Sequence, residues 1–149
     1  MANGITYGIN FPFIQSEKGN YLKLTETTDE EIRANLVHLL LTRRGSRYFL
    51  PDFGTRLYEY IFEPLDGPTF NQIEAEIRDS VEKYIPNLLI SKVSVYAATD
   101  DLVESVVQAG VNTFNLPGRN SVEYTAKVKI DYTITSNVFN PSDFIIINI

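Results

Sequence analysis

Residues 28–64 constrain the fold of this chain most strongly, because they combine a bounded helix with two tight turns. Thr28 and Glu31 have the spacing of a capping box, in which two side chains satisfy backbone N–H groups at a helix start. Arg43 and Arg44 would lie in the last helical turn, where cations complement the helix dipole, and Gly45 is typical of a helix end. The apolar residues between these signals predict one core-facing stripe, comprising Ile32, Leu36, Val37, Leu39, Leu40 and Leu41.

The turns after this helix carry a resemblance to a known family. The run LLLTRRGSR followed by PDFGTRLYEYIFEP is similar to the signature of the sheath-initiator, or baseplate wedge, family of contractile phage tails and related injection machines. In that family a helix ending in T-R-x-G-x-R leads into a P-x-F-G turn and then into an F-E element. The matching residues are Ile32, Arg33, Leu36, Leu40, Thr42, Arg43, Gly45, Arg47, Pro51, Phe53, Gly54, Leu57, Phe62 and Glu63.

The resemblance implies a structural role in the baseplate of the virion, after synthesis in the cytoplasm of the bacterial host. It implies baseplate wedge or hub proteins and the tail sheath protein as partners, with several copies of the chain in a symmetric assembly. Sheath initiators present strands to which the first ring of sheath subunits is joined, so strand pairing between subunits is the expected mechanism.

Composition excludes several other classes of function. The chain has 149 residues, of which 44% are hydrophobic, so it can bury a core as one domain. Its net charge of -6 argues against a nucleic-acid partner. With no cysteine and one histidine, we expect neither a metal site nor a cofactor. No stretch approaches the length of a membrane-spanning helix, so we expect no membrane partner.

The remaining patterns predict an α+β fold, with two main helices packed on a small, mostly antiparallel β-sheet and extended N- and C-terminal segments. A second helix should begin near Pro68 and end near Tyr84, because Pro86 follows. Alternating apolar residues predict strands at residues 89–98 and 122–134. We divide the single domain into an arm (1–27), a helical core with the first strand (28–98), an insertion (99–120) and C-terminal strands (121–149).

Four arginines surround the predicted turns. They either solvate the end of the helix and the turn or form a docking patch for an acidic partner surface. A buried ion pair between Arg47 and Glu63 is a further hypothesis. The candidate partner-binding residues in this group are Arg43, Arg47 and Arg56.

Residues 144–149 are apolar and mostly β-branched, and such a strand aggregates if its edge stays uncovered. Two alternatives follow: the strand pairs within its own sheet, or it joins a sheet shared with another subunit, which the resemblance favours. Under the second alternative, deleting residues 137–149 leaves a folded chain that no longer seeds the sheath. The candidate partner-binding residues are Phe144, Ile145, Ile146, Ile147 and Ile149.

Two other functions are alternatives on the same fold. A peptidoglycan hydrolase needs two carboxylates across a cleft, for which Asp52 and Glu63 are the only pair with a suitable position in the sequence. His38 has no serine or cysteine motif around it, so we assign no catalytic residue. A regulatory anti-adaptor module is the other alternative, because such a protein also resembles this sequence.

Overall fold

The computed structural model describes residues 7–17, 19, 21–64, 66–97, 113–115, 126–135 and 142–149. The described part of the chain contains two α-helices and two β-sheets, so the predicted α+β class is confirmed. Neither helix is long and apolar enough to cross a membrane. In chain order the elements are β1 (Gly8–Ile9), β2 (Leu24–Thr25), α1 (Thr28–Leu41), a 3-10 helix (Glu59–Phe62), α2 (Gly67–Tyr84), β3 (Leu88–Ala97), β4 (Thr113–Asn115), β5 (Ala126–Ile134) and β6 (Asp143–Asn148).

Helix α1 begins with a capping arrangement one residue earlier than predicted. The cap is Thr27, whose hydroxyl oxygen accepts a hydrogen bond of 3.2 Å from the backbone N–H of Glu30. The Glu30 carboxylate in turn accepts a bond of 3.0 Å from the backbone N–H of Glu26. The prediction that Thr28 and Glu31 form the capping box was therefore wrong by one position, because the adjacent threonine has the extended backbone that a cap requires.

The end of α1 also differs from the prediction. The helix ends at Leu41, and both the N–H and the hydroxyl of Thr42 donate to the carbonyl oxygen of His38, at 3.1 and 2.6 Å. Thr42 then adopts an extended conformation, so Arg43 and Arg44 lie beyond the helix and not in its last turn. The carbonyl oxygens of Leu40 and Leu41 then accept from the Thr55 and Tyr58 hydroxyls, at 3.0 and 3.3 Å, instead of from the backbone N–H groups that would continue the helix.

Four of the described strands form the main sheet in the order β3, β5, β6, β4. The pairs β3–β5 and β5–β6 are antiparallel, and β4 runs parallel to β6. Side chains of β5 alternate between buried and half-buried, as the sequence predicts for a strand with one face on the core. The predicted first residues of this strand, 122–125, lie outside the described residues, as does most of the predicted insertion.

Strand β3 carries a bulge that its sequence pattern did not predict. The pairing with β5 shifts between Ile90 and Lys92, which leaves Ser91 as the extra residue. Because of this shift, Leu88 and Ile90 before the bulge and Val93 after it all bury their side chains. A strand without the bulge would turn Val93 to the opposite face from Ile90.

The core lies between the two helices and one face of the main sheet. Leu36, Leu39 and Leu40 of α1 are completely buried, and Ile73 and Ile77 of α2 lie in the same cluster. Truncating one such leucine to alanine costs about 2–5 kcal/mol, through lost burial and the cavity left behind. The sheet contributes Leu88, Ile90, Val93, Val128, Ile130, Tyr132, Ile134, Ile145 and Ile147, and Ile149 follows them.

Candidate assembly surfaces

The C-terminal strand β6 pairs within its own sheet. It has β5 on one side, from Lys127 opposite Asn148 to Tyr132 opposite Asp143, and β4 on the other. The backbone N–H of Ile149 also donates to the carbonyl oxygen of Ala126 at 2.9 Å. The first of the two alternatives for this strand is therefore the one that the chain adopts: β5 pairs with the whole strand, and β4 pairs with its last three residues.

Most predicted partner-binding side chains of β6 are buried in this chain. Ile145, Ile147 and Ile149 join the core cluster, and Ile146 is buried although it points to the opposite face of the sheet. Phe144 is half-buried, with the ammonium of Lys129 lying 5.0 Å from its ring centre. Whether the strand contacts a partner stays a prediction.

A tyrosine connects β5 and β6 beside a polar groove. The Tyr132 hydroxyl donates to the Asp143 carboxylate at 3.0 Å. Burial, followed by the charge of Asp143, raises the pKa of Tyr132 well above its ordinary value, so the hydroxyl stays protonated. The adjoining groove has a volume of about 320 Å³ and is also lined by Asp29 and Arg33 of α1. The hydrogen bond between Tyr132 and Asp143 fixes the start of β6 against β5.

The outer edge of β3 is the longest sheet edge in the described structure. β3 has ten residues and pairs with β5 along one edge. Among the described strands, none pairs with its other edge. A groove of about 550 Å³ lies where the end of α2 meets the start of β3, lined in part by Val81, Pro86 and Leu89. Leu89 is 61% exposed. Arg78 donates to the carbonyl oxygen of Ile90 at 3.0 Å and so covers one acceptor near the bulge.

The turn after α1 is built around a backbone bridge that brings residue 43 beside residue 55. The N–H of Arg44 donates to the carbonyl of Thr55 at 3.1 Å, and the N–H of Thr55 donates to that of Thr42 at 2.9 Å. Gly54 has a φ of +112°, and a Cβ there would collide with the Thr42 carbonyl oxygen. Glycine is therefore required at this position, which explains the P-x-F-G pattern physically.

The arginines of this turn have different environments. Arg44 forms an ion pair of 2.8 Å with Glu76 of α2, and both side chains are largely buried. The Arg47 guanidinium lies 4.7 Å from the centre of the Phe53 ring, and among the described residues it forms no ion pair with Glu63, so that hypothesis was wrong. Arg43 and Arg56 are exposed. The partner-binding assignment of Arg43, Arg47 and Arg56 stays a prediction.

Residues 46–50, which we call the aromatic loop, present a surface that sequence analysis missed. Tyr48 and Phe49 are fully exposed, at 99% and 101% of their reference areas, and Leu50 is 44% exposed. Phe62 of the 3-10 helix is also exposed, at 90%. The signal in the sequence was the mixed run itself, because three large apolar residues that match neither strand nor helix periodicity have no predicted core to face.

His38 lies in a row of aromatic rings that includes Phe53 of the P-x-F-G turn. Its ring centre is 4.9 Å from that of Phe11 in the N-terminal arm and 5.5 Å from that of Phe53, which in turn lies 5.1 Å from Tyr84. Burial, and then the charge of Arg47, lowers the pKa of His38 below its ordinary value. The histidine therefore packs as a neutral ring that connects the arm, α1 and the P-x-F-G turn.

The two carboxylates proposed for a hydrolase do not form a buried pair. Asp52 is exposed in the turn, and Glu63 is exposed at the end of the 3-10 helix, where its backbone N–H donates to the Tyr60 carbonyl at 3.2 Å. Neither residue lines the two grooves described above. A glycosidase acid requires a sheltered carboxyl group across a cleft from its partner, and these two residues do not supply one.

Comparisons with known proteins agree with this architecture. The baseplate wedge protein gp25 of Enterobacteria phage T4 is 34% identical over 70 residues, which are 47% of this chain and 53% of that protein. The chain thus spans about half the length of the curated relative it matches.

Two solved structures share the fold. A chain of the anti-feeding prophage baseplate superposes with a TM-score of 0.61 at 18% identity, covering 89% of this chain and 86% of that one. A protein of Geobacter sulfurreducens named as a candidate tail lysozyme gives a TM-score of 0.60 at 19% identity, covering 85% and 94%. At these identities the likeness shows the fold alone.

The family model described as baseplate wedge protein gp25 matches residues 26–137. This match extends from the cap of α1 through the arginine-bearing turn and α2 to the end of β5, and it covers well over half of the chain. The chain therefore belongs to the family of the baseplate wedge protein gp25.

Proposed function

We propose that this chain is a structural component of a contractile-tail baseplate, where it links wedge or hub proteins and templates sheath assembly through strand pairing between subunits. Membership of the baseplate wedge family supports the place in the virion. The observation that carries the templating role is the long outer edge of β3, which ends the four-stranded sheet. Several copies in a symmetric baseplate would present several such edges to one sheath ring.

An edge strand can bind a partner strand through its main chain. Strand addition takes its affinity from backbone hydrogen bonds and its specificity from pockets that accept alternate side chains. The groove beside β3 supplies such a pocket, lined in part by the exposed Leu89 and by Val81 and Pro86. Arg78 protects the carbonyl of Ile90 and so limits unspecific pairing at the bulge.

This proposal places templating on β3 instead of on the terminal strand. β6 lies between β5 and β4, and its isoleucines fill the core. Deleting residues 137–149 would remove a central strand, so the truncated chain should unfold. The truncation is therefore not a test of templating, and the expectation that it leaves a folded chain is withdrawn.

A point substitution at the β3 edge tests the proposal. We expect Leu89→Asp to fold normally, because the side chain is exposed, and to stop baseplates from seeding sheath, because a charge on an edge strand opposes strand addition. Leu22→Asp is the matched control, since Leu22 is 38% exposed and lies outside the main sheet. Sheath on purified baseplates is counted by electron microscopy, and thermal unfolding checks the fold.

Seeding by the Leu89→Asp chain at the level of the unchanged chain would refute templating at this edge. Loss of seeding by both Leu89→Asp and Leu22→Asp would show that the assay responds to any added charge, and the role of β3 would then fail as well.

We further propose that the role is not catalytic, on the basis of the exposed positions of Asp52 and Glu63. The purified chain is expected to leave a suspension of peptidoglycan turbid. Clearing of the suspension by the unchanged chain, lost in an Asp52→Ala, Glu63→Ala double variant, would contradict this and favour the hydrolase alternative.

A further inference from the structure

We propose that the aromatic loop, residues 46–50, anchors a second baseplate protein, and that this partner presents carboxylates around an apolar cleft. The inference rests on the proposed function, because the partner is taken to be another protein of the same baseplate. It concerns a different surface from the β3 edge, so the two proposals can fail separately.

The exposure of the loop is the first observation. Tyr48, Phe49 and Leu50 are consecutive, and the first two have essentially their whole surface in contact with solvent. Single exposed apolar residues are ordinary, whereas a contiguous exposed apolar patch marks an interaction site. Tyrosine also provides a large contact area with few rotatable bonds, so little conformational entropy is lost when it is bound.

The loop is held in shape, so the exposure of its side chains does not come from a loose backbone. The N–H of Gly45 donates to the carbonyl of Pro51 at 2.8 Å, which closes the base of the loop. The Ser46 hydroxyl donates to the carbonyl of Arg43 at 2.7 Å, and the N–H of Phe53 donates to that of Leu50 at 3.1 Å. A loop that is already ordered pays less entropy on binding, which favours a role as an anchor.

The charge around the loop defines the chemistry of its partner. Residues 43–56 contain four arginines and one aspartate, a formal charge of +3 within a chain of -6. Arg44 is paired with Glu76, which leaves Arg43, Arg47 and Arg56 exposed, and Arg47 directly precedes Tyr48 in the sequence. Arginine and tyrosine are the residues enriched in the energetic centres of protein interfaces. Carboxylates on the partner would complement these arginines.

A protein fits these observations better than a nucleic acid or an anionic membrane. Extended polyanions interact with the field of the whole chain, and a net charge of -6 repels them. By contrast, a cleft on a partner protein would contact only the aromatic loop together with Arg43 and Arg47. Three consecutive exposed apolar side chains with arginines nearby in the sequence also match the composition of an interface centre, where apolar anchors are surrounded by polar groups.

A pair of exposed substitutions tests the anchor. In particles made with a Tyr48→Ser, Phe49→Ser chain, we expect the amount of this chain per purified baseplate to fall about tenfold or more, since two interface anchors are lost. Tyr21→Ser is the matched control, because Tyr21 is 98% exposed in the N-terminal arm, and its incorporation should be unchanged. Quantitative mass spectrometry of purified baseplates measures both.

A photo-crosslinker identifies the occupant. With p-benzoylphenylalanine in place of Phe49, irradiation of assembled particles should join the chain to a different baseplate protein, at a peptide that carries acidic and apolar residues. The same crosslinker in place of Tyr21 shows which products are unspecific. Complexes of the full chain with the identified protein should weaken as the salt concentration rises, because Arg43 and Arg47 are exposed.

Different results would overturn the anchor, the proposed partner and the proposed function. Normal incorporation of the Tyr48→Ser, Phe49→Ser chain would overturn the anchor and leave the role in the baseplate intact. Crosslinks from position 49 only to a second copy of this chain, to lipid or to DNA would overturn the proposed partner. Absence of the unchanged chain from purified baseplates would overturn the proposed function and the anchor together.

Discussion

Strand β6 and the aromatic loop are alike in sequence and opposite in structure. Each contains three consecutive large apolar residues, Ile145–Ile147 in the strand and Tyr48–Leu50 in the loop. The three isoleucines are buried, whereas Tyr48 and Phe49 are fully exposed. The difference follows from their backbones. The backbone of β6 pairs with β5 along its whole length and with β4 over its last three residues, while the loop closes on itself between Gly45 and Pro51.

This contrast shows two reasons why a segment of a chain can be apolar. In β6, the isoleucine side chains are buried inside the chain, so they contribute to the stability of the fold. In the loop, backbone hydrogen bonds close the base, but the side chains of Tyr48 and Phe49 are exposed, so their contribution is available to a partner. Four experiments with substituted chains test the contrast.

The largest effect is expected from Ile147→Asp. Ile147 is completely buried in the core cluster, and a carboxylate there has no partner, so the variant should lose about 3 kcal/mol or more of unfolding free energy, or fail to fold. Ile147→Val, which removes one methylene, should cost about 0.5–1.5 kcal/mol. Urea unfolding followed by circular dichroism measures both, and a variant as stable as the unchanged chain would show that β6 is not a core strand.

The next largest effect concerns the turn that supports the loop. Gly54→Ala should destabilise the chain by about 1–3 kcal/mol or more, because φ is +112° and the added Cβ meets the Thr42 carbonyl. Gly45→Ala is the control: its φ is +88° but the space around it is open, so only the backbone cost of about 1–2 kcal/mol is expected. Equal unfolding free energies for the two variants would contradict the proposed close contact.

A smaller, pH-dependent effect is expected from His38. Burial and the charge of Arg47 lower its pKa in the folded chain below the ordinary 6.5, so below this pH the unfolded chain binds the proton more readily. Stability should therefore be full above about pH 6.5 and decrease as the pH falls through the lowered folded value. His38→Gln should remove this part of the pH dependence in thermal unfolding between about pH 8 and pH 5. The same slope in both proteins would contradict the prediction.

The smallest effect on stability is expected from the loop itself. Tyr48→Ser, Phe49→Ser should change the unfolding free energy by no more than about 0.5 kcal/mol, because neither side chain is buried. Urea unfolding of the purified chain is the measurement. A loss comparable to that of Ile147→Asp would mean that the loop packs against the chain, and the contrast between the two segments would disappear.

Local signals in the sequence located the elements well, and the errors came from competing local groups. Helix α2 extends to Tyr84 before Pro86, as predicted. The start of α1 was misplaced because Thr27 and Thr28 are both good caps and only the backbone conformation selects between them. Its end was misplaced because the backbone becomes extended at Thr42, before the arginines are reached. The shift at Ser91 has no signal in the alternation of β3.

The candidate surfaces were harder to predict from the sequence than the helices and strands. The arginines were recognised, but the ion pair of Arg44 with Glu76 joins residues 32 positions apart, which local patterns do not relate. The Arg47 guanidinium packs on the Phe53 ring and not beside Glu63, a choice that depends on how the turn places the two side chains. The aromatic loop was passed over because residues 46–50 matched no periodic pattern.

The sequence by itself determined the α+β class, the two main helices, the strand now seen as β5 and the resemblance that led to the baseplate wedge family. These depend on neighbouring residues, whose periodicity and capping act over a few positions. Only the tertiary structure decided that the terminal isoleucines are core while Tyr48 and Phe49 are surface. The reason is that burial depends on which distant segment supplies the neighbouring strand or helix, and an apolar run does not specify that segment.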